Sequence, residues 1–193
     1  MNLTSFLIYC IVVTFTPGPS NIVILSSVQH VGARQTMRYV WGATVAFGIL
    51  LAASAFLNHL LAGVLPGILH VMQIVGSLYM LYLAYQIYKM GSSEEAPKQA
   101  TGFRSGLLMQ FVNPKVILFT FTVIPSYVLP YYDSSLSSLL FVLLITVIGF
   151  LAFSSWVVFG SVFRKFLQDH QKAFSIAMAL FLVYSAIMVS GII

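Results

Sequence analysis

An all-α, polytopic membrane protein is the fold class this sequence predicts, on three observations. Of its 193 residues, 60% are apolar and only 7% charged, whereas a soluble domain carries roughly a quarter of its residues as Asp, Glu, Lys or Arg. The apolar residues run in six stretches long enough to cross a bilayer, and the bases gather in alternate connections between them. Strands of alternating hydropathy with frequent turn signals, the pattern of an outer-membrane barrel, are absent. One cysteine, Cys10, and no polar low-complexity tract exclude a disulfide scaffold and disorder. The net charge of +5, nine bases against four acids, is dispersed among the connections, so nucleic acid is not an expected partner.

A bilayer core of about 30 Å takes about 20 helical residues to cross. The first span is read over Leu3–Val28; no base precedes it, and it continues past Pro19 without a small-residue cleavage site, so it is expected to be retained. The second, Tyr39–Val64, carries Trp41 as an interfacial anchor and Gly42, Ala46 and Gly48 where another helix can approach closely. The third, Pro66–Lys89, repeats Tyr79, Tyr82, Tyr85 and Tyr88 at spacing three, a packing and interface stripe of which Tyr79 is also a candidate lining residue. Ser92, Ser93, Glu94, Glu95, Pro97 and Lys98 then form a loop. Three further spans follow: Ser105–Leu129, Leu136–Phe163 with Ser154, Ser155 and Trp156 in its interior, and Ala173–Ile193.

Orientation follows from the bases, which accumulate in cytoplasmic loops. Arg34 and Arg38, then Lys89, Lys98 and Arg104, then Arg164, Lys165 and Lys172 put eight of the nine on one face, with both termini opposite. The expected organisation is one transmembrane domain over residues 1–193, with a first half at 1–90, a cytoplasmic loop at 91–104 and a second half at 105–193. Three spans per half give the halves opposite orientation, the arrangement of an inverted repeat.

Two clusters interrupt the apolar pattern. In Thr16-Pro17-Gly18-Pro19-Ser20-Asn21, each proline removes a helix hydrogen bond and Gly18 adds backbone freedom, so the first helix should break there. Backbone groups freed at that depth must be satisfied by protein or a water-filled cavity. In Gln110-Phe111-Val112-Asn113-Pro114-Lys115, the lysine lies eleven residues beyond Arg104, or about 16 Å into the membrane at 1.5 Å per residue. An ionisable group near the midplane marks a functional site by default. Pro17 and Pro114 stand 97 residues apart, each in the first span of its half, and paired interruptions of this kind point to a transport site at the midplane.

The four acids, Glu94, Glu95, Asp133 and Asp169, all fall in predicted loops. That argues against a cation pathway built on acid rings and favours a substrate that brings its own negative charge to Lys115 and to the helix amino termini created at Pro17 and Pro114. An intramembrane hydrolase would need a Ser-His or Asp-Asp pair inside the spans, which is absent, so no enzyme is expected. His59 and His70 are too isolated to hold a metal, and His30 and His170 read as solvated loop residues. Neither metal nor cofactor is expected.

Taken together, Thr16-Pro17-Gly18-Pro19, Gly76-Ser77-Leu78-Tyr79 with Ala84, and Gln110 through Lys115 resemble the LysE/RhtB family of amino-acid exporters over the whole chain. His30-Val31-Gly32-Ala33-Arg34-Gln35 and Tyr127-Val128-Leu129-Pro130 look like its cysteine and O-acetylserine branch. Ala84 departs from the glycine usual there, which puts helix packing in question at that point. The resemblance implies a secondary transporter of the bacterial inner membrane that exports small amino acids by proton antiport, with self-association into a homo-oligomer left open. A cation or small-solute exporter or channel of similar architecture, and a membrane scaffold, stand as alternatives. The residues expected to serve the substrate are Thr16, Pro17, Gly18, Pro19, Asn21, Gln110, Asn113, Pro114 and Lys115, with Tyr79 and Trp156 as cavity-lining candidates. With no acid in any span, the proton is assigned to Lys115.

Overall fold

The computed structural model describes residues 2–90, 102–132 and 134–190, with backbone alone for 58–70, 72, 73, 90 and 189. Every regular element among them is helical: α1 (Leu3–Phe15), α2 (Pro19–Val31), α3 (Ala33–Phe56), α4 (Asn58–Met90), α5 (Phe103–Val112), α6 (Pro114–Val123) continued by a π-helical turn over Ile124–Val128, α7 (Ser135–Val162), α8 (Arg164–Asp169) and α9 (Gln171–Ser190). α3, α7 and the Gln171–Met188 stretch of α9 are each long and apolar enough to cross a membrane. The bent pairs α1/α2 and α5/α6 pass the same test as units, which gives three to five candidate spans among the described residues. Leu140, Leu143, Val147, Leu151 and Val158 stand exposed along α7, where a hydrocarbon phase would cover them.

Local chemistry fixes most of the helix ends. Asn2 and Ser134 cap α1 and α7 by accepting from the backbone N–H of Ser5 and Ser137, each at 3.1 Å. Gly32, at φ +80°, makes the sharp turn from α2 into α3, a conformation that glycine adopts without strain. The turn between α3 and α4 falls at Leu57, not at the 64–66 position expected from the sequence, and α4 runs from Asn58 through Pro66. Asparagine favours a helix start, and a proline inside a membrane helix is tolerated where neighbouring groups satisfy the freed carbonyl.

Other expectations need correcting. The connection from α7 to α9 is itself a short helix ending at Asp169, not an open loop. His30 sits in the last turn of α2 with Nδ1 2.9 Å from the Ser26 carbonyl and Nε2 3.2 Å from Gln171 Nε2, and His170 Nδ1 is 3.0 Å from the Phe166 carbonyl. Both rings engage the chain at helix ends. The loop at 91–101 with Glu94 and Glu95, Asp133, and the side chains of His59 and His70 lie outside the described residues.

Two buried clusters hold the bundle. One joins α2, α3, α4, α5, α7 and α9 through Ile22, Tyr39, Ala84, Met109, Phe153 and Leu182; the other joins α1, α3, α6 and α7 through Phe6, Phe47, Ile117 and Ile145. Ala84 is buried in the first, so its methyl is packed at the point where the resemblance puts helix packing in question. Beside the first cluster, α3 and α5 meet backbone to backbone. A Cβ on Gly42 would fall 1.9 Å from the Phe103 carbonyl oxygen, and one on Gly106 would fall 2.0 Å from that of Tyr39. Farther along, the Phe47 and Phe119 rings stack at 5.9 Å, so α3 and the α5/α6 unit run in the same direction. The basic N-terminal ends of α3 (Arg34, Arg38) and α5 (Arg104) therefore lie at one end of the bundle.

Gly42→Ala or Gly106→Ala should each destabilise the protein by at least about 2 kcal/mol, because the obstacle is main chain that no rotamer change removes. Gly102→Ala, with no atom within 4 Å of the added carbon, should stay within about 0.5 kcal/mol. Thermal unfolding of the purified proteins in detergent measures the contrast, and equal melting of the three would refute the backbone contact.

Candidate functional site

Three residues in the two breaks have extended backbone: Thr16 (ψ 148°), Gly18 (ψ 173°) and Asn113 (ψ 106°). Each immediately precedes a proline, whose ring crowds a helical residue before it. The chain consequently bends by 47° between α1 and α2 and by 68° between α5 and the α6 unit. Helix resumes at Pro19 and Pro114, first-turn positions where the missing N–H has no partner to lose. The first restart is thus at Pro19, two residues later than expected. Gly18, at φ −169°, has an extended backbone open to any residue, so conformational freedom is not its role. A Cβ there would stand 3.0 Å from Lys115 Cδ and 3.2 Å from Nζ, so the glycine makes room for the lysine.

Breaking a helix leaves its last carbonyls without N–H donors, and at the end of α1 nearly every one is taken by a side chain. The Thr16 hydroxyl donates to the Val13 carbonyl at 3.0 Å. Asn21 Nδ2 donates to the carbonyls of Thr14 and Thr16 at 3.3 and 2.9 Å. Trp156 Nε1, from α7, donates to that of Phe15 at 3.2 Å. Lys115 Nζ, from α6, donates to the Thr16 carbonyl at 2.8 Å, the Thr16 hydroxyl at 3.0 Å and the Pro17 carbonyl at 3.2 Å. The lysine's partners are therefore neutral oxygens at a helix carboxyl end, where a cation is favoured. The sequence points to the lysine and to helix amino termini as partners of a substrate carboxylate, but not to this carboxyl end.

A second set of bonds ties the breaks together. Ser20 Oγ accepts from Asn113 Nδ2 at 2.8 Å and from Gln110 Nε2 at 3.0 Å. Asn113 Oδ1 accepts from the backbone N–H of Lys115 at 3.1 Å and so caps α6. All three side chains are buried. Ser20 belongs to the site, although the sequence shows it only as a residue able to bond back to its own helix. Its partners are 90 and 93 positions away, and no local signal reveals them.

Beside Lys115 lies a cavity of about 30 Å³, lined on the polar side by Thr14, Gly18, Ser20, Asn21, Asn113 and Lys115 and on the apolar side chiefly by Phe47, Phe119 and Phe153. A space of that size admits about two waters. Asn21 Oδ1 is buried without a hydrogen-bond partner, and the first turn of α2 has no side-chain cap. The site thus offers one cation, a free acceptor and uncapped helix N–H groups within an aromatic wall. Tyr79 does not join it but lines a separate cavity with Tyr39, and Tyr82, Tyr85 and Tyr88 are exposed. Trp156 reaches the break through the Phe15 carbonyl without lining the cavity.

The model of the LysE type translocator family matches residues 11–190. A cysteine/O-acetylserine efflux protein of Salmonella typhimurium is 31% identical over 188 residues, 97% of this chain and 96% of the relative. Its namesake in Escherichia coli K12 is 31% identical over 187 residues, 96% and 95% of the two chains. No solved structure matches. The chain belongs to the LysE-type translocator family.

Ser20→Ala should destabilise the protein by about 1–3 kcal/mol by stranding the amides of Gln110 and Asn113. Gln110→Leu combined with it should cost clearly less than the sum of the two singles. Additive losses in a double-mutant thermal melt would mean that the three side chains do not act as one unit.

Proposed function

We propose that this LysE-type translocator exports small amino acids, cysteine and O-acetylserine among them, from the cytoplasm across the inner membrane by proton-coupled alternating access. The observation that carries the reading is the setting of Lys115. Its ammonium is lodged at a helix break, held by neutral oxygens of Thr16 and Pro17, and no carboxylate occurs in any predicted span. A carboxylate makes the stronger, charge-assisted bond, so a substrate carboxylate competes well for that ammonium. The N–H groups in the first turn of α2 assist it. Asn21 Oδ1, the unpartnered acceptor, receives the substrate ammonium. Phe47, Phe119 and Phe153 bound the space left for the substrate side chain, which favours small ones.

The family and the names of the relatives support amino-acid efflux as the activity. The small cavity supports alternating access, since a site with room for two waters must widen to admit an amino acid. On this reading six spans, with α4 as one of them, form two inverted halves whose first helices are the broken ones, and the halves rock about the site. The gathering of bases at one end supports a cytoplasmic face there, with both termini opposite. Lys115 is protonated while it holds substrate and gives up its proton after release.

Efflux of preloaded cysteine and O-acetylserine from cells or inside-out vesicles tests the proposal. Lys115→Ala at equal membrane abundance should lower saturable efflux about tenfold or more, the worth of a charge-assisted hydrogen bond. Lys115→Arg should bind substrate yet lose the dependence of export on the proton gradient, because arginine keeps its proton. Asn21→Leu removes the free acceptor together with the donors to the Thr14 and Thr16 carbonyls, so it should raise the apparent KM and lower the melting temperature together. Wild-type efflux no faster than from vesicles without the protein, for every amino acid tried, would reject the reading.

A further inference from the structure

A second cavity, of about 80 Å³, opens among Val23, Tyr39, Tyr79, Gln86, Ser105 and Met109. On three elements its lining falls to the basic side of the residues that line the first cavity. Along α3 it is Tyr39 where the first has Phe47; along α5/α6 it is Ser105 and Met109 where the first has Asn113 and Lys115; along α2 it is Val23, deeper into the helix than Ser20 and Asn21. Tyr39 to Phe47 and Ser105 to Asn113 are each eight residues, or about 12 Å of helix. Ser20, Gln110 and Asn113 occupy the boundary, bonded to one another, with Gln110 fully buried.

The second cavity is closed toward the first by Tyr39, which is fully buried, with its hydroxyl beside Ser20. No charged side chain lines the space; its polar groups are the hydroxyls of Tyr39, Tyr79, Tyr82 and Ser105 and the amide of Gln86, which donates to the Tyr82 hydroxyl. A neutral, polar chamber suits a solute that carries both charges itself and must not be held tightly.

We infer that this cavity is a vestibule that receives the zwitterionic amino acid from the basic end, and that the Ser20–Gln110–Asn113 cluster, with Tyr39 set against Ser20, is the closed gate between it and Lys115. The inference rests on the export reading for its occupant, whereas the gate rests on the two cavities alone. Opening has the three side chains exchange their mutual bonds for bonds to the passing solute as the site widens, so the gate yields to a polar substrate and resists an apolar one.

Impermeant thiosulfonate labelling of single-cysteine proteins in a Cys10→Ser background tests the gate. Gln86→Cys and Ser105→Cys, at partly exposed positions of the lining, should react from the side bearing Arg34 and Arg38, and O-acetylserine should slow the reaction. Val116→Cys, in the first cavity, should react from that side only after Gln110→Ala or, as a second variant, Ser20→Ala is added. Two inert vestibule cysteines, or a Val116→Cys reactivity indifferent to the gate substitutions, would each overturn the inference. Gate-dependent labelling without any O-acetylserine efflux by the wild type would instead overturn the export reading and the occupant, and leave the gate standing.

Discussion

Carbonyl oxygens freed inside an apolar layer must find donors within the protein, and those at the end of α1 organise much of what surrounds them. Thr14, Phe15, Thr16 and Pro17 recruit Asn21 from α2, Trp156 from α7 and Lys115 from α6. One break in one helix thereby fixes the position of three other elements. Lys115 contributes most, because its three donors and its charge both suit a helix carboxyl end.

On the proposed reading the same ammonium also binds substrate, so occupancy and the end of α1 share a single group. A ligand shifts a conformational equilibrium only through a difference in its interactions with the two states. A carboxylate that draws Lys115 Nζ away from Thr16 and Pro17 supplies such a difference directly, since it uncaps the break in the act of binding. Asn21 keeps the Thr14 and Thr16 carbonyls bonded meanwhile through Nδ2. The break can then flex without exposing both carbonyls at once.

What the sequence showed well was whatever depends on neighbours along the chain. Proline removes a helix hydrogen bond, so the sequence points to breaks at Pro17 and Pro114, and the residues before the prolines, Thr16, Gly18 and Asn113, are the extended ones. The rule has its exception at Ile124, which stays helical before Pro125 while the chain passes through a π-helical turn. What the sequence did not show depends on partners far away. Ser20 looks like any serine able to bond to its own helix, and Tyr39 looks like the first residue of an apolar stretch. Only packing makes one a link between the two helix breaks and sets the hydroxyl of the other beside it. The glycine of the Pro-Gly-Pro motif was noticed for the wrong reason, since space for Lys115, and not backbone freedom, is what it supplies.

Where two side chains clash, a change in one can be answered by trimming the other, and pairs of positions drift together. The crossing of α3 and α5 offers no such route. The obstacle facing Gly42 is the carbonyl of Phe103, and that facing Gly106 is the carbonyl of Tyr39, atoms that every amino acid carries. No second substitution can restore what a first one takes away, so this crossing is closed to compensation, and on the proposed reading adaptation to a new solute proceeds through side chains elsewhere.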